Sequence, residues 1–238
     1  AIEGDEARAS LDALQLAEQL RNLLAEPMLF DDNRLQVTPS IGIALIPDHG
    51  DDPLDLLKHA DIALYKAKDA GRNAIRLFEP AMLDKVNERL RLESDLRMAL
   101  ARKEFELHYQ PQVDARTGRI LGAEALLRWQ HPTRGEQSPS HFIRILEESR
   151  QIVSVGSWIL EEACRCCAAL LQERLVTAEQ FNLAVNISAE QFAQANFADS
   201  VFAILEKTGV PARMLKLEVT ESIVIKDMDG TIAKMQLL

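Results

Sequence analysis

The chain has 238 residues, 47% hydrophobic and 27% charged, enough for one large globular domain or two ordinary ones. Its net charge of −10 argues against non-specific attachment to a nucleic acid polymer or an anionic membrane, both of which need a basic surface. A small anionic ligand stays open, because a local group of Arg, Lys or metal can overrule the overall field.

The opening AIEGDEARAS lacks the shape of a signal peptide, and no apolar run approaches a membrane span. Residues 7–25 carry Leu11, Leu14, Leu20, Leu23 and Leu24 near one helical face. LQVTPSIGIALIP, residues 35–47, reads as strand, and residues 51–71 read as a helix with Pro53 near its start and Gly71 past its end. AIRLFEP closes this unit as a short strand, and residues 80–102 form a charged helix with an apolar seam and the composition of a rigid connector, which reads as a solvated linker. FELHYQPQVDA and RILGAEALLRW are strands joined across a turn at Thr117–Gly118.

Helices follow over 141–149 and 153–173, then strand FNLAVNIS, helices over 189–208, strand MLKLEVTES and a helical close. Strand and helix taking turns predicts an α/β sheet or barrel. Cys164, Cys166 and Cys167 crowd one helix as CRCC, with no second Cys or His group at ligand spacing. Reduced thiols of a cytosolic protein are expected. The chain lacks an initial Met and its last helix has no cap, so an interior piece of a longer polypeptide is expected.

In ILGAEALLRW an acid sits inside an apolar strand, and a carboxylate buried there without a partner is costly. Strand alternation puts Glu124 on a face with Gly122, Leu126 and Arg128, Asn186 with Ala184 and Ser188, and Glu218 with Lys216 and Thr220. Each strand thus offers an oxygen-bearing side chain towards its C-terminal half, where a parallel barrel carries its active site. Three hard oxygen donors, two of them anionic, suit Mg²⁺ or Mn²⁺ better than zinc. Spacing leaves a second reading open, in which Glu124 pairs with Arg128 and Asn186 caps the helix at Ala189.

AEALLRWQHP, with Glu124-Ala125-Leu126 at its core, resembles the signature of the EAL domain, the cyclic-di-GMP phosphodiesterase family. HYQPQVD, FI with an EE pair, VNIS with QF, and LEVTES follow in the family order from Phe105 onward. VTPSIGIA and ADIALYKAKDAGRN resemble the C-terminal half of a GGDEF (diguanylate cyclase) domain. Gly4-Asp5-Glu6 is not taken as the GGDEF signature, because it leads straight into a helix. The resemblance implies an α/β protein: a partial GGDEF domain with a palm-like sheet over 1–80, a linker helix over 81–102, and a partial EAL TIM-like (β/α) barrel over 103–238.

The resemblance further implies metal ligation by Glu124, Asn186 and Glu218, with Gln110, Leu126 and Arg128 holding cyclic di-GMP. Glu221 matches the second acid of the ExTE motif, which supports the metal site, and Lys68 and Arg72 match contacts to nucleotide phosphates in the GGDEF part. The implied reaction is two-metal hydrolysis of one phosphodiester to linear pGpG, with Mg²⁺ or Mn²⁺. The family's aspartate pair and later lysine, glutamate and glutamine are not within these residues, so the piece alone is expected to be inactive. Arg144 and Arg150 stand where the family usually has Pro and Gly. The alternative is a non-catalytic receptor for the dinucleotide, marked in that family by loss of a metal ligand. A homodimer through the EAL domain or the linker helix is a further expectation, in a cytoplasmic segment.

Overall fold

A computed structural model of the protein describes residues 6–31, 33–219 and 228–238. The chain forms two compact units, residues 1–91 and 92–238.

In the first unit, α1 (Glu6–Leu24) leads into a hairpin of β1 (Met28–Phe30) and β2 (Asn33–Leu35). β3 (Ile41–Ile43) pairs in parallel with β4 (Ile75–Leu77), and α2 (Pro53–Asp69) makes the crossover between them. The expected single strand over 35–47 is therefore divided. Leu35 pairs back to Met28 and only Ile41–Ile43 joins β4, with Pro39, which has no N–H to give a ladder, in the break. Asp52 starts α2 by accepting hydrogen bonds from the N–H groups of Leu54 and Asp55 at 2.7 and 3.2 Å, with Pro53 next in line. Gly42 lets α2 lie directly on β3, since a Cβ there would fall 2.2 Å from the Ala60 carbonyl oxygen. The small core holds Ile62, Ala63 and Phe78, with Met82, Leu83 and Val86 of the next helix packed against it.

That helix, α3 (Pro80–Ala99), was expected to be a solvated connector, and here the structure corrects the reading. Leu92, Leu96 and Ala99 are buried in the core of the second unit. Their spacing places them along the apolar seam that the sequence shows, and the seam is packed where a solvated linker was expected.

The second unit is built on β5 (Phe105–Val113), β6 (Ile120–His131), β8 (Asn182–Ile187) and β9 (Leu215–Val219), in that order across one sheet. β5 runs antiparallel to β6, whereas β6, β8 and β9 are parallel. The two-residue strand β7 (Gly135–Glu136) pairs with the end of β6. α4 (Pro139–Glu148) and α5 (Ile152–Gln172) make the first crossover, and α6 (Ala189–Phe192) and α7 (Phe197–Thr208) the second. α8 (Met228–Leu237) follows. The alternation of strand and helix is the (β/α) arrangement expected of the second unit.

The period of two along β6 divides its residues between two environments. Ala123, Ala125, Leu127 and Trp129 are buried, while Glu124, Leu126 and Arg128 on the opposite face are half-buried. Trp129 is fully enclosed, its Nε1 donates to Glu104 Oε2 at 3.0 Å, and its ring meets Phe142 edge-on. From α5, Val155, Ile159, Ala163, Cys164 and Cys167 line one buried stripe. Burial pushes the Cys164 thiol up to about 11, so it acts as a small hydrophobe and not as a nucleophile at neutral pH.

Candidate active site at the strand ends

The sheet register brings four of the predicted residues into one row. Gln110 of β5 lies directly opposite Glu124 of β6, and Asn186 of β8 lies directly opposite Glu218 of β9. The row closes between β6 and β8, where Asn186 Nδ2 donates to Glu124 Oε1 at 2.7 Å. Since a register shift of one residue would turn a whole strand over, this contact depends on the parallel pairing of Glu124 with Ala184 and Ala125 with Val185. The small side chain of Ala184, fully buried, leaves room beside the carboxylate.

The second reading of these residues is not what the structure shows. Arg128 is not paired with Glu124: its Nη1 donates to the Leu127 carbonyl at 2.9 Å, and its Nε stands 3.6 Å from Glu136 Oε1 in β7. Asn186 does not cap α6, because Ser188 does, accepting from the Gln191 N–H at 3.2 Å. Glu124 is half-buried, so the partner that its place in the sequence called for is an exposed amide on the neighbouring strand. Glu218 is held from its own strand, Lys216 Nζ donating to its Oε1 at 2.7 Å.

Beside this row opens a cavity of about 550 Å³, within the roughly 300–1,000 Å³ range of small-molecule sites. Leu126, Arg128, Asn186 and Glu218 line it on the strand side, and Ile143, Glu147 and Gln191 on the helix side. Glu147 and Gln191 went unassigned in the sequence. Their signals were the EE pair and the QF pair, which carried the resemblance without a role. Burial, followed by the charges of Glu190 and Glu148, pushes the Glu147 carboxyl above the ordinary carboxylate range. Glu221 lies outside the described residues. Lys68 and Arg72 sit at the end of α2, both exposed, with the Arg72 N–H bonded to the Lys68 carbonyl at 3.2 Å. Gly71, Arg72 and Asn73 all have positive φ, at 104, 63 and 46°, so the chain turns sharply where the two cations stand.

As donors, the row fits a hard cation. Glu124 keeps one carboxylate oxygen outside the contact with Asn186, and the Asn186 amide oxygen is outside it too. Two carboxylates and an amide make a small, all-oxygen set, and a six-coordinate ion would draw its remaining ligands from water, substrate and further residues. Among the described residues no group of three His, Cys, Asp or Glu is placed to hold a metal, so a cation at this row would need the Asn186 amide oxygen beside the carboxylates.

The parallel strands, their crossovers and the oxygen row at their ends define a (β/α) enzyme-like domain preceded by a smaller α/β unit. The EAL domain profile matches residues 93–238, and the diguanylate cyclase GGDEF domain profile matches residues 4–74. The chain belongs to the EAL domain family, with a GGDEF segment ahead of it. It is 41% identical over 233 residues to the bifunctional diguanylate cyclase/cyclic di-GMP phosphodiesterase MucR of Pseudomonas aeruginosa, covering 98% of this chain and 34% of that protein. With the cyclic di-GMP phosphodiesterase NbdA of the same organism it shares 36% identity over 223 residues, 94% of this chain and 28% of NbdA. The solved MucR phosphodiesterase in complex with c-di-GMP aligns at TM-score 0.58 and 42% identity, over 62% of this chain and 59% of that one. The chain thus spans about a third of the length of these curated relatives.

Proposed function

We propose that the protein containing this chain hydrolyses cyclic di-GMP to linear pGpG in bacterial second-messenger signalling. The observation that carries the reading is the Glu124–Asn186 contact at 2.7 Å, with Glu218 in register beside it, on the wall of a cavity that also presents Arg128. In the reaction a water oxygen forms a bond to phosphorus and the P–O3′ bond breaks. This leaves a 5′-phosphate on one nucleoside, and the departing O3′ takes up a proton.

Mg²⁺ or Mn²⁺, held by Glu124, Asn186 and Glu218, would supply charge to the phosphoryl oxygens and acidify water. Around that ion the chain's own residues bind and orient. Arg128 has a weak exposed partner in Glu136, so a phosphate can replace it and engage the planar guanidinium through two hydrogen bonds. Gln110, across from Glu124, offers an amide to the dinucleotide, and Leu126 an apolar surface to its base. Glu218 must share or release Lys216, whose ammonium is exposed and so costs little to detach. Glu221 is assigned the supporting role of the ExTE acid, and Lys68 and Arg72 that of phosphate contacts in the GGDEF part. The reading includes a homodimer through the EAL domain or α3, in a cytoplasmic segment. No helix among the described residues is long and apolar enough to cross a membrane.

The test is release of pGpG by the full-length protein with Mg²⁺ or Mn²⁺, beside Glu124→Ala. Loss of at least about 100-fold in the variant is expected, the scale of removing a few kcal/mol of charge stabilisation. The rival reading, a receptor, draws on the Lys216–Glu218 contact, which occupies one of the expected ligands. Binding of cyclic di-GMP by the wild type with no product would decide for the receptor.

A further inference from the structure

One polar residue of the stretch AEALLRWQHP has no task in the hydrolytic reading. His131 ends β6, is 8% exposed, and has both ring nitrogens engaged. Its Nδ1 accepts from the N–H groups of Thr133 and Arg134, each at 3.2 Å, and Thr133 Oγ1 lies 3.3 Å away. A backbone N–H can only donate, so Nδ1 is the bare acceptor and the ring hydrogen sits on Nε2. From there it is donated to Asp95 Oδ2 of α3 at 3.1 Å. The two nitrogens fasten different things: Nε2 ties β6 to α3, and Nδ1 ties down the turn that follows β6. That turn leads straight into β7, where Glu136 pairs with Gln130 and Gly135 with His131. The Gln137 N–H then returns to the Trp129 carbonyl at 3.0 Å. Glu136 thereby comes to stand 3.6 Å from Arg128 Nε.

We propose that His131 is a positioning residue that acts through its Nδ1: by anchoring the turn it seats β7, and β7 aims Arg128. Arg128 has a long side chain with many rotamers, and ordering such a chain at the moment of binding costs affinity. It is held on two sides, its Nη1 donating to the Leu127 carbonyl at 2.9 Å and its Nε facing Glu136. The first contact lies within β6, and the second depends on β7. Glu136 is exposed, so an arriving phosphate displaces it readily; its part is to aim the guanidinium beforehand. Trp129 stiffens the anchor, its ring meeting the His131 ring edge-on at 5.2 Å and its Nε1 donating to Glu104. A supporting contact of this kind sets how precisely a binding side chain is presented, without touching the ligand. The inference rests on the cyclic di-GMP reading for what Arg128 meets, whereas the anchor is testable with no ligand present.

The experiment separates the two nitrogens in the full-length protein. His131→Asn places an oxygen where Nδ1 stands, so it keeps the acceptor for the turn but does not reach Asp95. His131→Gln places an N–H where Nε2 stands, so it keeps the donor to Asp95 and leaves the turn without an acceptor. Hydrogen exchange over residues 130–137, affinity for cyclic di-GMP by calorimetry in EDTA, and melting temperature are measured for each. His131→Gln is expected to speed the exchange and to bind about three- to tenfold more weakly, the scale of ordering one long side chain. His131→Asn is expected to keep exchange and affinity at the wild-type level while its melting temperature falls. In an Arg128→Ala background His131→Gln should weaken binding no further, since its effect runs through that side chain. A merely structural role would make affinity follow melting temperature in both variants and persist without Arg128, and either result overturns the proposal. So does unchanged exchange or unchanged affinity in His131→Gln. If His131→Gln fails to fold, Gly135→Ala decides, because it strains the turn at φ 69° without filling occupied space and should weaken binding in the same way. If the wild type does not bind cyclic di-GMP, that reading of the ligand falls, and exchange quickened in His131→Gln alone still upholds the anchor.

Discussion

At the scale of single residues, Glu147 is a charge on the cavity wall without a hydrogen-bond or ion-pair partner among the described residues. Glu147 has its carboxyl raised above the ordinary 4.5 by burial first, then by Glu190 and Glu148. A raised carboxyl binds its proton more tightly in the folded state than in the unfolded one. Stability therefore falls as pH rises from about the ordinary carboxylate value through the folded value, and the penalty is complete above it. Glu147→Gln removes the ionised form, so it should raise the melting temperature modestly at pH 7, with the gain disappearing below about pH 4. The residue is only half-buried, so water screens much of the effect. Thermal melts of the two proteins from pH 3.5 to 8 check this. A difference that is flat across that range would remove the electrostatic account of Glu147. Glu124 offers the contrast, a carboxylate on a half-buried face that has found a donor in Asn186.

At the scale of elements, the site depends on how closely β6 approaches β8. Gly122 pairs with Asn182 at the start of the parallel ladder, and a Cβ on Gly122 would fall 2.3 Å from the Asn182 carbonyl oxygen. That atom is backbone and cannot rotate away, so Gly122→Ala must separate the strands two residues before Glu124. The variant should lose about 1–3 kcal/mol of stability, as overpacked sites do, and lower hydrolysis by displacing the Glu124–Asn186 contact. Denaturant unfolding and pGpG release measure the two effects; an unchanged unfolding midpoint would show that the strands tolerate the methyl. The row itself was legible beforehand, because alternation along a strand is strict and the resemblance gave each residue a number. Other features were not. β7 is two residues long, too short to leave a periodic trace, and it brings Glu136 to Arg128 in place of Glu124. Gln191 sits on a four-residue helix whose sequence shows no face, so its burial becomes visible only when α5 presents Gly156 beneath it. Pro39 divides the segment 35–47, whose β-branched Val37, Thr38, Ile41 and Ile43 predict a single strand.

At the scale of the whole molecule, α3 is one helix that serves two cores. Met82, Leu83 and Val86 pack against the core of the first unit, and Leu92, Leu96 and Ala99 are buried in that of the second. The division between units falls at Arg91–Leu92, inside the helix. The apolar seam is visible in the sequence, but the charged residues around Leu92 and Leu96 favour a solvated linker over a buried face. Each half has a stripe of its own, and the exposed Leu90, 58% accessible, marks the interval between them. If the units unfold separately, a cavity made in one half of α3 should be felt by only one of them. Leu96 is 1% exposed, so Leu96→Ala should cost the second unit about 2–5 kcal/mol through lost burial and the cavity left behind. The transition of the first unit should hold its temperature. Differential scanning calorimetry of the wild type should accordingly show two transitions, of which Leu96→Ala lowers one and Leu83→Ala lowers the other to a smaller extent, Leu83 being only partly buried. If both transitions moved together in either variant, α3 would be coupling the two units into one cooperative structure, and the separation of their cores would carry no thermodynamic meaning.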